Sequence, residues 1–243
     1  YGTNDGSFID PIPVASGVPA RTVPVVLELG IYSTQLILTN PNAATVAVEL
    51  RYVESLAAAG VPRRTGADQL GPGEQKVVEA IPYLRSLGVD VGPEGGSYAG
   101  SVVASFSQSG QPANGFAGAR TKSPGQPQGS YGVYYSGLGT GQAAPSEAWV
   151  FGLKEDGDSR SNVAVVHAEP GGAPIVVQAQ VFDGETGTNV GGTGDVTLKA
   201  GQWFQWNQLL GSVGLRQGYV RVFRVSGASP FLAYGVVNDG GSG

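Results

Sequence analysis

The chain has no cysteine, no methionine and a single histidine among its 243 residues. Without cysteine it can form no disulfide, no thiolate metal site and no thiol nucleophile. One histidine cannot supply the group of imidazoles that holds zinc, copper or haem. We therefore expect no metal and no cofactor.

Charged side chains are also scarce, because Lys, Arg, Asp and Glu make up 14% of the chain and the net charge is −5. Nucleic acids and anionic membrane surfaces are bound through clustered Lys and Arg, and Arg63–Arg64 is the only short basic cluster. No apolar run approaches the roughly 20 residues of a membrane-spanning helix. The sequence argues against nucleic acid as a partner and predicts no membrane span.

Glycine is abundant, at 40 residues, and there are 16 prolines. Both residues weaken helix interiors. Short runs of Val, Ile, Leu, Phe and Tyr alternate with turn residues, as expected of strands. In Ala47–Val53, the alternation places Val48, Leu50 and Tyr52 on one face of a strand. The sequence therefore predicts an all-β fold.

Four blocks of the first half recur in the same order in the second half, which predicts an internal repeat. The matching blocks are 34–53 with 161–182, 70–75 with 198–203, 99–103 with 217–221, and 115–118 with 231–234. Each copy has the length and strand spacing of one β-sandwich. The predicted segments are an extended N-terminal arm at 1–24, a sandwich at 25–122, a Gly/Pro/Tyr-rich linker at 123–144 and a second sandwich at 145–243.

Three segments carry a resemblance to a known class of protein: Arg160–Val166, Gly218–Val222 and Leu232–Asp239. With their turn pattern they resemble the tandem immunoglobulin-like (Ig-like) β-sandwich modules of secreted bacterial cell-surface proteins. The resemblance rests on packing and turn motifs, and the Cys–Trp–Cys core of antibody domains is missing. It implies an extracellular structural or adhesive role, and it transfers no catalytic residue.

The pattern of residues 1–24, the N-terminal arm, predicts an edge strand that could pair with a neighbouring subunit. Its apolar residues have even numbers: Phe8, Ile12, Val14 and Val18. Its prolines have odd numbers: Pro11, Pro13 and Pro19. Because successive N–H groups of a strand point to opposite edges, the prolines remove donors from one edge only. The alternatives are that the arm packs on its own domain or is only a tether.

Two groups of aromatic residues could stack on a ligand. Tyr131, Tyr134 and Tyr135 follow one another in the linker, where they predict a strand against one sandwich, and Trp203 lies in a short run of aromatics. Phe204 and Trp206 share the opposite face of that run, and we expect them to be core anchors. If Trp203 or the tyrosines are exposed, the chain could instead be an adhesin that binds carbohydrate or another surface.

The remaining motifs predict structure rather than catalysis. His167 ends a predicted strand with no nucleophile motif nearby, so we expect a structural histidine. Asp156–Asn162 lacks the distal Glu of a calcium loop and is expected to be a turn. Gly137–Gly141 and Gly191–Gly194 precede no helix, which disfavours phosphate binding. A hydrolase with a carboxylate pair stays an alternative, although no pair stands out.

The leading hypothesis is a non-enzymatic structural protein that assembles with copies of itself into a surface layer or filament. The chain begins at Tyr1 and has no methionine, which predicts a mature chain from which a targeting segment was removed, located outside the cell or at its surface. No Asn-x-Ser/Thr sequence is present, so any glycans are expected to be O-linked. The Phe8, Ile12 and Val14 arm would complete a sheet in an adjacent subunit.

Overall fold

A computed structural model describes residues 20–56, 65–125 and 129–239 of the chain. The predicted interface residues Phe8, Ile12, Val14 and Val18 lie outside these ranges. The chain divides into two compact units, Tyr1–Gln142 and Ala143–Gly243. The described part is all-β, with one short helix.

In its described residues, the first unit consists of β-strands, the helix α1 and one 3-10 turn at Thr140–Gln142. Its elements are β1 (Ala20–Leu29), β2 (Tyr32–Thr39), β3 (Val46–Glu54), β4 (Thr65–Leu70), β5 (Gln75–Glu79), α1 (Ala80–Ser86), β6 (Tyr98–Gln108), β7 (Gln111–Pro112), β8 (Phe116–Pro124) and β9 (Ser130–Ser136). All strand pairs are antiparallel. The strands join in the order β4-β3-β6-β1-β2-β8-β9, and β5 and β7 pair with β2 and β6.

This sheet folds back on itself into two layers, because β1 and β2 pair only at their shared hairpin. One layer is β4-β3-β6-β1, and the other is β5-β2-β8-β9. Side chains of β3 and β6 form one core with those of β2 and β8. In β3, Val48, Leu50 and Tyr52 are fully buried whereas Ala47 and Glu49 are exposed. The alternation predicted for this strand is therefore confirmed.

The second unit is a sandwich of two antiparallel sheets. Its strands are β10 (Glu147–Lys154), β11 (Ser159–His167), β12 (Ile175–Asp183), β13 (Asn189–Gly192), β14 (Val196–Leu198), β15 (Trp203–Trp206), β16 (Gln217–Ser226) and β17 (Phe231–Asp239). One sheet has the order β10-β16-β12-β13, with β14 also on β12, and the other is β15-β11-β17. Buried Val, Leu, Ile and Phe side chains of both sheets form one core.

Strands pair in the same order in both units. In the first, β3 pairs with β4 and β6, β6 with β1, and β2 with β5 and β8. In the second, β12 pairs with β13, β14 and β16, β16 with β10, and β11 with β15 and β17. The register also shifts at matching places, between Val23 and Val26 in β1 and between Val150 and Leu153 in β10.

A matching hydrogen bond joins the two layers in each unit. The Leu27 N–H donates to the Thr34 hydroxyl oxygen at 3.0 Å in the first unit. The Lys154 N–H donates to the Ser161 hydroxyl oxygen at 2.8 Å in the second. These equivalences support the internal repeat, although descent of the two units from one sequence stays a prediction.

Several element boundaries differ from those expected from sequence. β1 begins at Ala20, inside the segment predicted as an arm up to residue 24, because Pro24 sits at the register shift where a strand tolerates proline. The segment 123–144 contains β9, which confirms the strand expected at its tyrosines. Helix α1 begins at Ala80, and Pro82 lies in its first turn, where a missing N–H costs nothing. α1, like every helix in the described ranges, is too short and polar to cross a membrane.

Candidate interaction surface

The three tyrosines of the predicted linker lie on β9, which pairs with β8 along its length. Tyr134 and Tyr135 are half-buried, and burial raises the pKa of both hydroxyls. Tyr131, at the start of the strand, is 42% exposed. The three rings therefore belong mainly to the packing of the first unit, and only Tyr131 presents a large exposed surface.

Trp203, the other aromatic that the sequence suggests for ligand stacking, is half-buried on β15. Its indole N–H donates to the Tyr234 hydroxyl at 2.8 Å. Trp206 packs against the core of the second unit as expected. Phe204 is 37% exposed instead, and it contacts the Trp206 ring edge-on with centroids 5.3 Å apart. The sequence places these two residues on one face correctly, but the face is buried only at Trp206.

A larger exposed group of rings lies on the outer face of the β10-β16-β12 sheet. It consists of Trp149 and Phe151 on β10, Phe182 on β12 and Tyr219 on β16, and is called the aromatic patch below. Phe151 is 69% exposed and Trp149 is 41% exposed. The Phe182 and Tyr219 rings stack within 2° of parallel at 5.1 Å, and Trp149 lies 5.4 Å from Phe182.

Strand register brings these rings together. Trp149 and Phe151 are two residues apart on β10, so both point outward while Val150 between them enters the core. Phe182 and Tyr219 are direct partners in the β12–β16 ladder. The Trp-x-Phe spacing of β10 was the sequence signal for this patch. The Phe182–Tyr219 pairing depends on a long-range register that the sequence does not display.

One side of the aromatic patch carries a compensated charge pair. The Arg221 guanidinium donates to the Glu147 carboxylate at 2.8 and 2.5 Å, and to Gln180 at 3.3 Å. It also lies over the rings of Trp149 and Phe223, at 5.9 and 5.0 Å from their centroids. The hydrogen bond from Arg221 lowers the pKa of Glu147 despite an opposing effect of desolvation. On this side, the patch is therefore bordered by polar side chains whose charges compensate each other.

The edge of β17 is the second unusual surface of this unit. Phe231 exchanges both backbone hydrogen bonds with Ala144, so its N–H and C=O point away from β11. By strand alternation the backbone groups of Ala233, Gly235 and Val237 point the same way. Within the described ranges no backbone or side-chain group bonds to them from that side. These three residues are called the open edge below.

The matching edge of the first unit is covered. In the first unit, β2 corresponds to β11 and β8 corresponds to β17. β8 pairs with β2 on one side and with all seven residues of β9 on the other. After β9, Leu138 exchanges backbone hydrogen bonds with Thr22 of β1, at 2.8 and 3.0 Å. The second unit has the equivalents of β1, β2 and β8, but no described strand takes the place of β9.

Two of the motifs considered for catalysis or metal binding, at His167 and at Asp156, make structural contacts. His167 is buried, its Nε2 lies 2.9 Å from the Ala173 carbonyl, and its Nδ1 accepts from the Glu169 N–H. The Asp156 carboxylate accepts from the Asp158 and Ser159 N–H groups, which makes a turn. Among the described residues, no three His, Asp or Glu side chains come close enough to hold a metal ion.

Comparisons with known proteins add little. No protein-family model matches the chain, and no curated protein matches it. Among solved structures, a candidate secreted protein from Parabacteroides distasonis ATCC 8503 aligns over 96% of this chain and 87% of its own, with 11% identity and a TM-score of 0.25. A TM-score this low carries no argument about fold or function, so the proposals below depend on the chain's own residues.

Proposed function

We propose that the chain is a non-catalytic structural subunit that works outside the cell and assembles with copies of itself by strand addition. Its units would act as tandem Ig-like sandwiches, and its N-terminal arm would complete a sheet in a neighbouring copy. The observation that carries this proposal is the open edge of β17, since the corresponding edge of β8 is covered by β9.

An uncovered strand edge favours strand addition for a simple reason. Its unpaired N–H and C=O groups can form hydrogen bonds with another strand. Natural proteins usually prevent such pairing with charged residues, proline or a segment that covers the edge. The three residues of the open edge carry neither charge nor proline, and no strand within 20–56, 65–125 and 129–239 pairs with their outer side. Main-chain hydrogen bonds would then supply the affinity, and alternate side chains the specificity.

The composition supports a structural role outside the cell. The chain offers no thiol and no thioether, so it has no sulfur that can be oxidised, and its single imidazole is buried. Such a chain suits long exposure to an oxidising exterior better than it suits catalysis.

Removal of residues 1–19 tests this function. The full chain should form polymers that are visible by negative-stain electron microscopy and sediment as large species. The shortened chain should sediment as a monomer with an unchanged circular dichroism spectrum. A variant that lacks only residues 240–243 is the matched control and should still assemble. Equal assembly with and without the arm would contradict the proposal, as would a monomeric full chain.

The second candidate is a carbohydrate- or surface-binding adhesin, and the aromatic patch favours it. Exposed aromatic patches of this kind mark binding sites on soluble proteins. Its test compares Phe151→Ser with Val225→Ser, since Val225 is also exposed, at 48%, but lies outside the patch. Binding to immobilised polysaccharides that is lost in the first variant and kept in the second would support the adhesin function. Absence of glycan binding by the native chain would exclude carbohydrate as the ligand of the patch.

A further inference from the structure

The first unit shows how a sandwich of this kind is closed at the edge in question. β9 runs antiparallel to β8, where Ala119 faces Tyr135 and Thr121 faces Val133. The chain then bonds through Gly137 to Ala117, and through Leu138 to Thr22 of β1. One continuous segment therefore covers the edge of β8 and then reaches the edge of β1 in the other layer.

The hydrogen bond between layers, which each unit makes at the same place, shows which residues of β17 correspond to which residues of β8. Thr34 and Ser161 make the same bond between layers, and they pair with Thr121 and Val237 respectively. Val237 thus corresponds to Thr121, and by the same register Gly235 and Ala233 correspond to Ala119 and Ala117.

The edge of the other layer has its equivalent as well. Val23 and Val150 each precede the register shift of their strand, so Trp149 corresponds to Thr22. The Arg224 N–H of β16 donates to the Ser146 carbonyl, just before β10. Because backbone groups alternate along a strand, the N–H and C=O groups of Ala148 and Val150 also point to β16. The backbone of Trp149 therefore points to the outer edge, as that of Thr22 does. In the described part of the chain nothing bonds to it there.

We infer that the N-terminal arm of a second copy occupies the place that β9 has in the first unit, antiparallel to β17 and continuing to the edge of β10 at Trp149. This inference rests on the proposed function and names the acceptor of the strand. Its partner is residues 1–19 of another copy, which precede β1 directly and lie outside the described ranges.

The alternation of apolar residues at even numbers and prolines at odd numbers in the arm fits this acceptor in two ways. On β17 the odd-numbered residues Ala233, Gly235 and Val237 turn their backbone groups outward. If even-numbered arm residues face them, the odd-numbered prolines fall on the far edge, where a missing N–H removes no bond to β17. Directly opposed residues also share a face of the sheet. The same alignment therefore puts the even-numbered apolar side chains beside those of Ala233 and Val237.

The face of β17 that carries Ala233 and Val237 is the one turned towards the core of the second unit. Ala233 packs against the core cluster, and a side chain at Gly235 would collide with Val150 and Leu153, so this face is the inner one. The register that matches apolar residues sets Ile12 opposite Val237 and Val14 opposite Gly235. Gly17 then falls at the position of Leu138, opposite Trp149. Val237, 39% exposed in the described chain, would become covered.

Cross-linking tests the assignment, and the absence of native cysteine makes its result unambiguous. Full-length Ile12→Cys is mixed with full-length Val237→Cys under assembly conditions and oxidised, so that a disulfide between the two positions can form only between copies. Opposed residues in a ladder have Cα atoms about 5.5 Å apart, within disulfide range. The control acceptor is Val77→Cys on β5, an end strand of the first unit with an exposed side chain.

We expect a covalent dimer joined between positions 12 and 237, identified by mass spectrometry of the linked peptides, at ten times or more the yield of a 12–77 link. Assembly that persists while residue 12 links to position 77, or not to 237, would overturn the acceptor assignment and leave the proposed function standing. A 12–237 link that forms only within one chain of the double variant would overturn it as well. Absence of any assembly would remove both.

Discussion

Asn40 and His167 occupy the same position in the two units and perform the same task with different chemistry. Each is buried at the end of the strand that carries the bond between layers. The Asn42 N–H donates to the Asn40 side-chain oxygen at 2.9 Å, and the Glu169 N–H donates to His167 Nδ1 at 3.3 Å. The remaining polar atom of each side chain lies within hydrogen-bond distance of a backbone carbonyl in the following loop: Asn40 Nδ2 donates to Ala44 at 2.8 Å, and His167 Nε2 is 2.9 Å from Ala173. Each residue therefore fixes a loop from inside.

Replacing Asn40 with Ala should destabilise the first unit. The Asn40 amide donates to the carbonyls of Ala44, Leu70 and Gly71, and its bond to Leu70 is buried. The variant removes this donor, and a buried polar group left without a partner costs about 1–3 kcal/mol. The free energy of unfolding from urea titration should fall accordingly. Asn207→Ala, at an exposed turn, is the control and should change it by less than about 0.5 kcal/mol.

The equivalence of Asn40 and His167 also shows what sequence reasoning reached. Local alternation sufficed for the strands, as at Val48, Leu50 and Tyr52, because one buried face imposes a period of two. The sequence did not predict that Asn40 and His167 have the same role, because an amide and an imidazole are different groups and only their positions in the fold correspond. The aromatic patch was missed for a similar reason, because Phe182 meets Tyr219 only through the register of β12 on β16.

Gly100 and Gly218 should resist substitution, since each lies opposite the register shift of an adjacent strand. A Cβ at Gly100 would lie 2.0 Å from the Val53 carbonyl oxygen, and one at Gly218 would lie 2.4 Å from that of Phe182. Alanine at either position must displace a backbone and should cost about 1–3 kcal/mol or more.

The control for these two variants is Gly194→Ala, because an added Cβ there meets no atom within 4 Å. Its melting temperature should match that of the native chain. Melting temperatures equal in all three variants would show that the strands do not approach as closely as described.

The Asp156 carboxyl should titrate near pH 2. A hydrogen bond from Lys154 and the N–H groups of Asp158 and Ser159 lower its pKa to about 2, against an opposing effect of desolvation. Because the folded pKa is the lower one, the stabilisation is present above pH about 4 and is lost as the pH falls towards 2.

Lys154→Met should raise the pKa of Asp156 without restoring its ordinary value, since the two N–H donors stay. Carboxyl carbon chemical shifts in an NMR titration measure both proteins. An unchanged pKa in the variant would show that Lys154 does not contact this carboxylate in solution. Lys199→Met is the control, because Lys199 makes no ion pair among the described residues.

The aromatic patch should tolerate loss of its most exposed ring. Phe151→Ser removes a side chain that is 69% exposed, so the free energy of unfolding should change by less than about 0.5 kcal/mol. Phe182→Ala should cost more, because it removes a stacked pair with Tyr219 worth about 0.5–1.5 kcal/mol beyond lost burial. Equal effects of the two substitutions in urea titrations would contradict this ranking.

Amide hydrogen exchange along β17, resolved residue by residue, tests the central claim most directly. The N–H groups of Leu232, Tyr234 and Val236 bond to β11, so they should exchange slowly in both the assembled full chain and the monomer that lacks residues 1–19. The N–H groups of Ala233, Gly235 and Val237 should exchange quickly in the monomer and become at least tenfold slower on assembly. Rates at these three residues that stay equal in the two states would contradict strand addition at this edge.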